Sequence, residues 1–269
     1  MNEEDLKNGY GFISHVIEED NYVLGASALP AIELCPDGQW DDLLPEEEVQ
    51  IKRGVETYNC TAYGTLNALE ILFLKLFVER KNFSERYVGI MAGTKPYGNS
   101  PHVVIETIRK VSGVIDDSML PFDEAIDNVE EYFSPSPMSF EYLNEGKKLL
   151  DRYSIGHEWV FTGGDLAHKQ GQLKEALKYS PVGISVYAWN LGDDDIYVKP
   201  AGKNDNHWTV LYGYEEGKYW KIFDSYDHTH KKLAWDFDFG QAKRYHIEKK
   251  APKPSWWSFI REYIRQIIL

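Results

Sequence analysis

The strongest regular pattern of apolar positions begins just after Cys60. In TAYGTLNALEILFLKLFVER, Ala62, Leu66, Leu69, Leu72, Phe73, Leu76 and Phe77 recur at three- and four-residue intervals. That spacing predicts a buried helix with Cys60 at its N-terminus. SPHVVIETIRKVSG reads as a second helix, capped by serine, with Pro101 in its first turn and Gly113 as its terminator. Residues 123–153, acidic and aromatic, read as helix with loops, and LKEALKYSP as a short helix stopped by proline. Beyond it the period falls to two. VGISVYAW alternates and is β-branched, and HWTVLYGY, KYWKIFDSY and AKRYHIE complete an antiparallel set. Helices first and strands later predict an α+β chain, with a helical half over about 50–155 and a sheet half over about 156–250.

Two segments flank this 50–250 domain. Residues 1–49 hold short strand-like runs and a Pro/Asp/Gly-rich connector, and read as an irregular arm. Whether that arm reaches a cleft is open at this level. In the tail, over 251–269, Trp256, Trp257, Ile260, Ile264, Ile267 and Ile268 fall near helical spacing with Arg261 and Arg265 among them. Such a stripe, over 255–269, suits docking on its own domain or on a protein partner.

Composition narrows the function classes. The chain has 269 residues and a formal charge of −14, with no basic block before the tail, which argues against a nucleic-acid partner. No apolar run approaches a membrane span, and the acidic N-terminus lacks the apolar core of a signal peptide. The two cysteines, Cys35 and Cys60, make no disulfide framework, and the eight histidines fall in no metal-ligand pattern. No cofactor or metal is implied. A reducing intracellular compartment is the expectation, where a cysteine stays a thiol.

Free thiols invite the question of nucleophilic chemistry. A thiol attacks well only as thiolate, and a helix N-terminus and a neighbouring imidazolium both favour that form. Cys60 has the first by position. In NDNHWTVLYGYEEGKYWKIFDSYD, His207 and Asp224 lie on opposite arms of an expected hairpin, so that Asp224 can orient a ring whose other nitrogen faces the sulfur. The order Cys, His, Asp, with a long gap before a short one, is that of a nucleophile with distant partners.

These stretches together resemble the papain-like cysteine peptidases. NCTAYGTLNALE is similar to the family's nucleophile helix, NHWTVLYGY to its histidine strand, and YWKIFDSYD to the strand that ends in Asn-Ser-Trp, here Asp224, Ser225 and Tyr226. GNS (Gly98, Asn99, Ser100) stands where the family has a glycine-rich loop that binds the substrate backbone. SGVIDDSMLPF resembles the connector after it and SPVGISVYAW the strand that opens the sheet half, so the resemblance covers roughly residues 50–230. It implies a two-lobed fold, a peptide or protein substrate cleaved at a peptide or isopeptide bond, catalysis by Cys60, His207 and Asp224, and substrate contacts at Gly98, Asn99 and Tyr226.

The departures are specific. The family's oxyanion glutamine lies six residues before the nucleophile, where this chain has Gly54; the nearest glutamine, Gln50, lies four residues further away. Gln50 and the Cys60 backbone N–H are the available oxyanion donors. Asp224 replaces an asparagine. The family's disulfides and signal peptide are missing, and the stretch before Cys60 is too short for its inhibitory propeptide, as in an intracellular bacterial or phage-type branch. Two other expectations stand beside the peptidase: a papain-like scaffold retired from catalysis to binding or structural work, and acyl transfer to an amine of the transglutaminase-like kind.

Overall fold

The computed structural model describes residues 10–18, 23–24, 32–226 and 229–251. The aromatic tail over 255–269 lies outside them. A two-residue hairpin comes first, β1 (Ile51–Lys52) and β2 (Val55–Glu56), with Arg53 and Gly54 at positive φ in its turn. The helices follow: α1 (Cys60–Phe77), α2 (Glu85–Met91), α3 (Pro101–Thr107), α4 (Val129–Tyr132) and α5 (Phe140–Arg152). The chain then enters β3 (Tyr153–Trp159), returns to helix in α6 (Leu166–Leu177), and runs through β4 (Val182–Val186) and β5 (Ile196–Tyr197). The last strands are β6 (His207–Glu215), β7 (Tyr219–Phe223), β8 (His230–Ala234) and β9 (Ala242–Lys249).

Among the described residues, seven strands form one sheet in the order β3-β9-β4-β6-β7-β8-β5, antiparallel except where β5 meets β8. The architecture is the expected α+β mixture of helices and a large sheet. Three strands of the sheet, β3, β5 and β8, lie where periodicity gave no signal. β3 follows α5 directly, and β8 alternates exposed His230 and Lys232 with buried Lys231 and Leu233. A lysine at an inward position hides the strand's two-residue hydrophobic period. The helix expected over 100–113 starts as foreseen, the Ser100 side chain accepting from His102 N with Pro101 in the first turn. It then widens into a π-helical turn over Ile108–Ser112 before Gly113 ends it at φ 62°.

α1 is the hub. Every residue from Cys60 to Phe73 is buried, more than one apolar stripe requires, because sheet and helices cover the helix on all sides. Two of its buried polar side chains find partners: Glu70 Oε1 accepts from Phe83 N at 2.7 Å, and Thr65 Oγ1 meets Tyr245 OH at 3.3 Å. Burial pushes the Glu70 carboxyl well above its usual range. The start of α1 is tied to the helical lobe by Asn59, whose Nδ2 donates to Glu85 O (2.8 Å) and Tyr132 OH (3.1 Å).

On its other side α1 lies against β6. The contact is close because Gly64, one turn after Cys60, has no side chain; a Cβ there would stand 2.8 Å from Trp208 Cδ1 and 3.4 Å from Thr209 Cα. Trp208 immediately follows His207, so this packing sets the spacing of thiol and imidazole. Gly64→Ala should therefore destabilise the protein by about 1–3 kcal/mol through overpacking, seen as a lower denaturant midpoint. A midpoint equal to that of the native chain would mean that the helix and strand are not held at van der Waals distance.

Candidate functional site

The sheet brings His207 and Asp224 together by register. β6 and β7 pair at Val210↔Phe223. Continuing the alternation sets Thr209 opposite Asp224 and His207 diagonally from it on the same face, a separation that long side chains can bridge. His207 Nε2 meets Asp224 Oδ1 at 2.6 Å, and both side chains have no exposed surface. With Nε2 taken, Nδ1 is the nitrogen left for the thiol. It is buried and makes no hydrogen bond of standard geometry, yet Cys60 lies close enough to act on the ring electrostatically. Burial disfavours the charged ring, but Asp224 and Cys60 outweigh it and push His207 up to about 10. Asp224 is likewise penalised by burial, and His207 and Lys231 nonetheless hold its carboxyl below the usual range.

The second cysteine has a different environment. Cys35 Sγ lies 3.2 Å from Asp37 Oδ1 and 3.1 Å from Gln39 O. Burial and then the Asp37 carboxylate push its thiol up to about 11. A thiol kept protonated beside an anion is a poor nucleophile.

The short hairpin β1–β2 accounts for the position of Gln50. Thr57 N and Oγ1 both donate to Gln50 O, at 3.2 and 3.0 Å, so the six hairpin residues loop out and Gln50 lies beside the chain that leads into Cys60. Gln50 has no exposed surface. Its Nε2 donates to Glu56 Oε1 (2.8 Å) and to Tyr10 O (3.3 Å), while Ser225 Oγ donates to its Oε1 (2.9 Å). Sequence spacing left Gln50 four residues from the position the resemblance implies; the hairpin brings it back beside Thr57. Glu56 was not foreseen. Its Oε1 also accepts from Tyr58 N, and burial raises its carboxyl above the usual value.

Gly98 and Asn99 do meet an extended backbone, and it belongs to the chain's own arm. Asn99 N donates to Gly11 O (3.0 Å), Ile13 N donates to Asn99 O (2.9 Å), and Phe12 bridges Asn99 in parallel. The approach needs glycine: a Cβ on Gly98, at φ +104°, would lie 1.9 Å from Gly11 O. Tyr10 N and Phe12 N reach Asn206 O, at 3.0 and 3.4 Å. Phe12 stacks on Trp208, with ring centroids 5.7 Å apart, and clusters with Cys60, Trp159 and Trp208. Tyr10 stands edge-on to His207 (6.2 Å) and to Tyr226 (4.8 Å), the latter being 6.1 Å from His207. The open question about the arm is thus answered: residues 10–13 lie over the thiol and imidazole, and Cys60 and His207 have no exposed surface.

Further along, Gln241 clasps the arm by both backbone groups of His15, accepting from its N at 3.2 Å and donating to its O at 2.6 Å. The His15 ring stacks on His102 at 4.2 Å, and His102 stands edge-on to His157 at 5.3 Å. His157 joins Glu106 (2.6 Å) to Lys243 (3.0 Å), whose Nζ lies 3.5 Å from the centre of the Trp159 ring. Burial opposes the Glu106 charge, but His157, Lys110 and Arg109 prevail and hold it well below the carboxylate range.

A thiol thus heads the central helix, and an imidazole heads the strand packed against it, in an α+β chain of helices and one large sheet. No protein-family model matches the chain, and no curated protein matches it. Solved structures do. A digestive procathepsin L 3 of the Tenebrio molitor larval midgut aligns with 15% identity and a TM-score of 0.56, over 90% of this chain and 77% of its own. The ragweed pollen allergen Amb a 11, a cysteine protease in its proform, aligns with 15% identity and a TM-score of 0.55, over 85% and 73%. The bromelain protease of Ananas comosus, in complex with the E64 inhibitor, aligns with 16% identity and a TM-score of 0.53, over 80% and 98%. At such identities the likeness is one of fold, and the chain has the papain-like two-lobed fold.

The histidine stack makes the arm's docking sensitive to acid. Burial, then Lys243 and His15, lowers His102 to about 4, and burial lowers His157 to about 3 against the pull of Glu106. Both rings are neutral in the folded state. Their contribution is fully present above the unfolded value, ~6.5, and is lost as pH falls toward the folded values, because the unfolded chain then binds more protons. His207, pushed up to about 10, acts in the opposite sense, so the effect is read by difference: between pH 7 and pH 5, His102→Gln, which removes one of the two depressed rings, should show a smaller drop in stability than the native chain. Equal drops in the two proteins would remove His102 from the account.

Proposed function

We propose that this protein is a thiol hydrolase that cleaves peptide or isopeptide bonds. The observation that carries the reading is the buried Asp224–His207 pair, at 2.6 Å, beside the thiol that heads α1. In the first step Cys60 Sγ gives its proton to His207 Nδ1 and attacks the carbonyl carbon. The S–C bond forms as the carbonyl π electrons move to oxygen. The C–N bond then breaks, the amine leaving with the proton from His207. Water, deprotonated by the same ring, adds to the thioester; the C–S bond breaks, the acid leaves and the thiol returns. Asp224 holds the ring's other nitrogen throughout.

The oxyanion is held by the Cys60 N–H, the first of its helix, and by Gln50 Nε2. In the folded chain one Gln50 N–H is aimed at the carbonyl oxygen of Tyr10, so that oxygen stands in for the substrate's. Gly98 and Asn99 supply the backbone edge along which a peptide pairs, and Tyr226 a wall beside the ring. With Tyr10–Ile13 on these groups, the folded chain is the latent form and substrate enters as the arm leaves. The free thiols Cys35 and Cys60 suit a reducing compartment, in keeping with an intracellular bacterial or phage-type branch.

Three outcomes are expected with a fluorogenic peptide library. Removing residues 1–18 should raise turnover by about tenfold or more, because a competitor at very high effective concentration is lost. In that shortened protein Cys60→Ala should abolish turnover, and Gln50→Ala should lower kcat by roughly 10²–10³, the usual cost of one oxyanion donor. Full turnover in Cys60→Ala would end the hydrolase reading. Incorporation of an added amine in place of hydrolysis would turn it into acyl transfer.

A further inference from the structure

Lys231 occupies an inward-facing position of β8 and is 3% exposed. Burying an ammonium is expensive unless it is paired and hydrogen-bonded. Here its Nζ donates to Asp224 Oδ2 at 2.8 Å and to Tyr226 O at 2.7 Å. It also lies 5.0 Å from the centre of the Trp189 ring and 5.9 Å from that of Tyr197, and Trp189 stands edge-on to His207 at 5.5 Å. The two oxygens of one buried carboxylate are therefore divided between the ring and the lysine.

We propose that Lys231 is a positioning residue of this site: it fixes the Asp224 carboxylate and offsets part of its charge, so that Asp224 raises His207 less than an unpaired carboxylate would. The inference rests on the hydrolase reading for its catalytic meaning, though not for its test. A buried aspartate stabilises an imidazolium, and a cation on its other oxygen weakens that pull, so the ring releases its proton to a leaving amine more readily. An asparagine beside Lys231 would leave a buried cation facing the ring with nothing between them to balance it. Aspartate at 224 and lysine at 231 are thus one device, and each makes sense of the other.

Among the described residues, the other charged and titratable groups around the ring include Cys60 from α1, Glu56 from β2, and the phenols of Tyr10 and Tyr226. None of them touches Asp224 Oδ2 in the way that Lys231 does.

The test is the titration of His207 in the full chain, followed by NMR on ring-labelled histidine. Removing the cation in Lys231→Met should move the ring's midpoint upward by about one unit, since a nearby opposite charge then acts undiluted. A purely structural lysine would lower stability and leave that midpoint in place, which would overturn the proposal. Where Lys231→Met does not fold, Asp224→Asn and Asp224→Asn/Lys231→Met decide, because the double variant carries no unpaired buried charge. The ring midpoint should be lower in Asp224→Asn than in the double variant; no difference between the two would also overturn the proposal. In the chain lacking residues 1–18, kcat should be about tenfold higher in the double variant than in Asp224→Asn, with KM unchanged. The ring titration needs no turnover, so loss of the hydrolase reading and loss of the Lys231 role give different results.

Discussion

The site depends on one packing contact, the close approach of α1 to β6. The helix presents its first residue, Cys60, and the strand its first residue, His207, and only the spacing of these two elements decides whether they meet. Gly64 under Trp208 permits that spacing, and Asn59 fastens the start of the helix to Glu85 O and Tyr132 OH. The helical lobe thus carries the thiol and the sheet carries the ring with its carboxylate. The interface between lobes is where their chemistry can occur.

A second constraint is electrostatic. Three ionisable side chains are buried together, His207 and Lys231 each against Asp224, an arrangement that costs stability unless each is paired. Their order along the sheet pairs the charges: the ring meets one carboxylate oxygen and the ammonium the other, which leaves the second ring nitrogen for the sulfur. The arm adds an apolar cover. Phe12 on Trp208 and Tyr10 against His207 keep water from the thiol, while Gln241 and the His15–His102 stack hold the arm further along.

The parts legible in the sequence were those written in a regular period or in an ordered series. The α1 pattern, the strands β4, β6, β7 and β9, and the Cys60–His207–Asp224 order could all be read directly. Gln50 could be named but not placed, because its displacement in the sequence is a hairpin that loops out, and β1 and β2 are too short to carry a period. Lys231 gave no signal, since a lysine in a short alternating run reads as exposed until its partner is known. The arm's course was also hidden. Gly11 and Gly98 need positive φ because two backbones touch there, and that reason lies in three dimensions rather than in either stretch alone.

The claim beneath all of this is that the Cys60 sulfur and the His207 ring act as a pair. Timed iodoacetamide labelling of the protein lacking residues 1–18, with each modified thiol mapped by mass spectrometry, addresses it directly. The account predicts that Cys60 is alkylated well ahead of Cys35 and that His207→Ala removes the advantage. Labelling of Cys60 no faster than Cys35, or an advantage that survives His207→Ala, would contradict it.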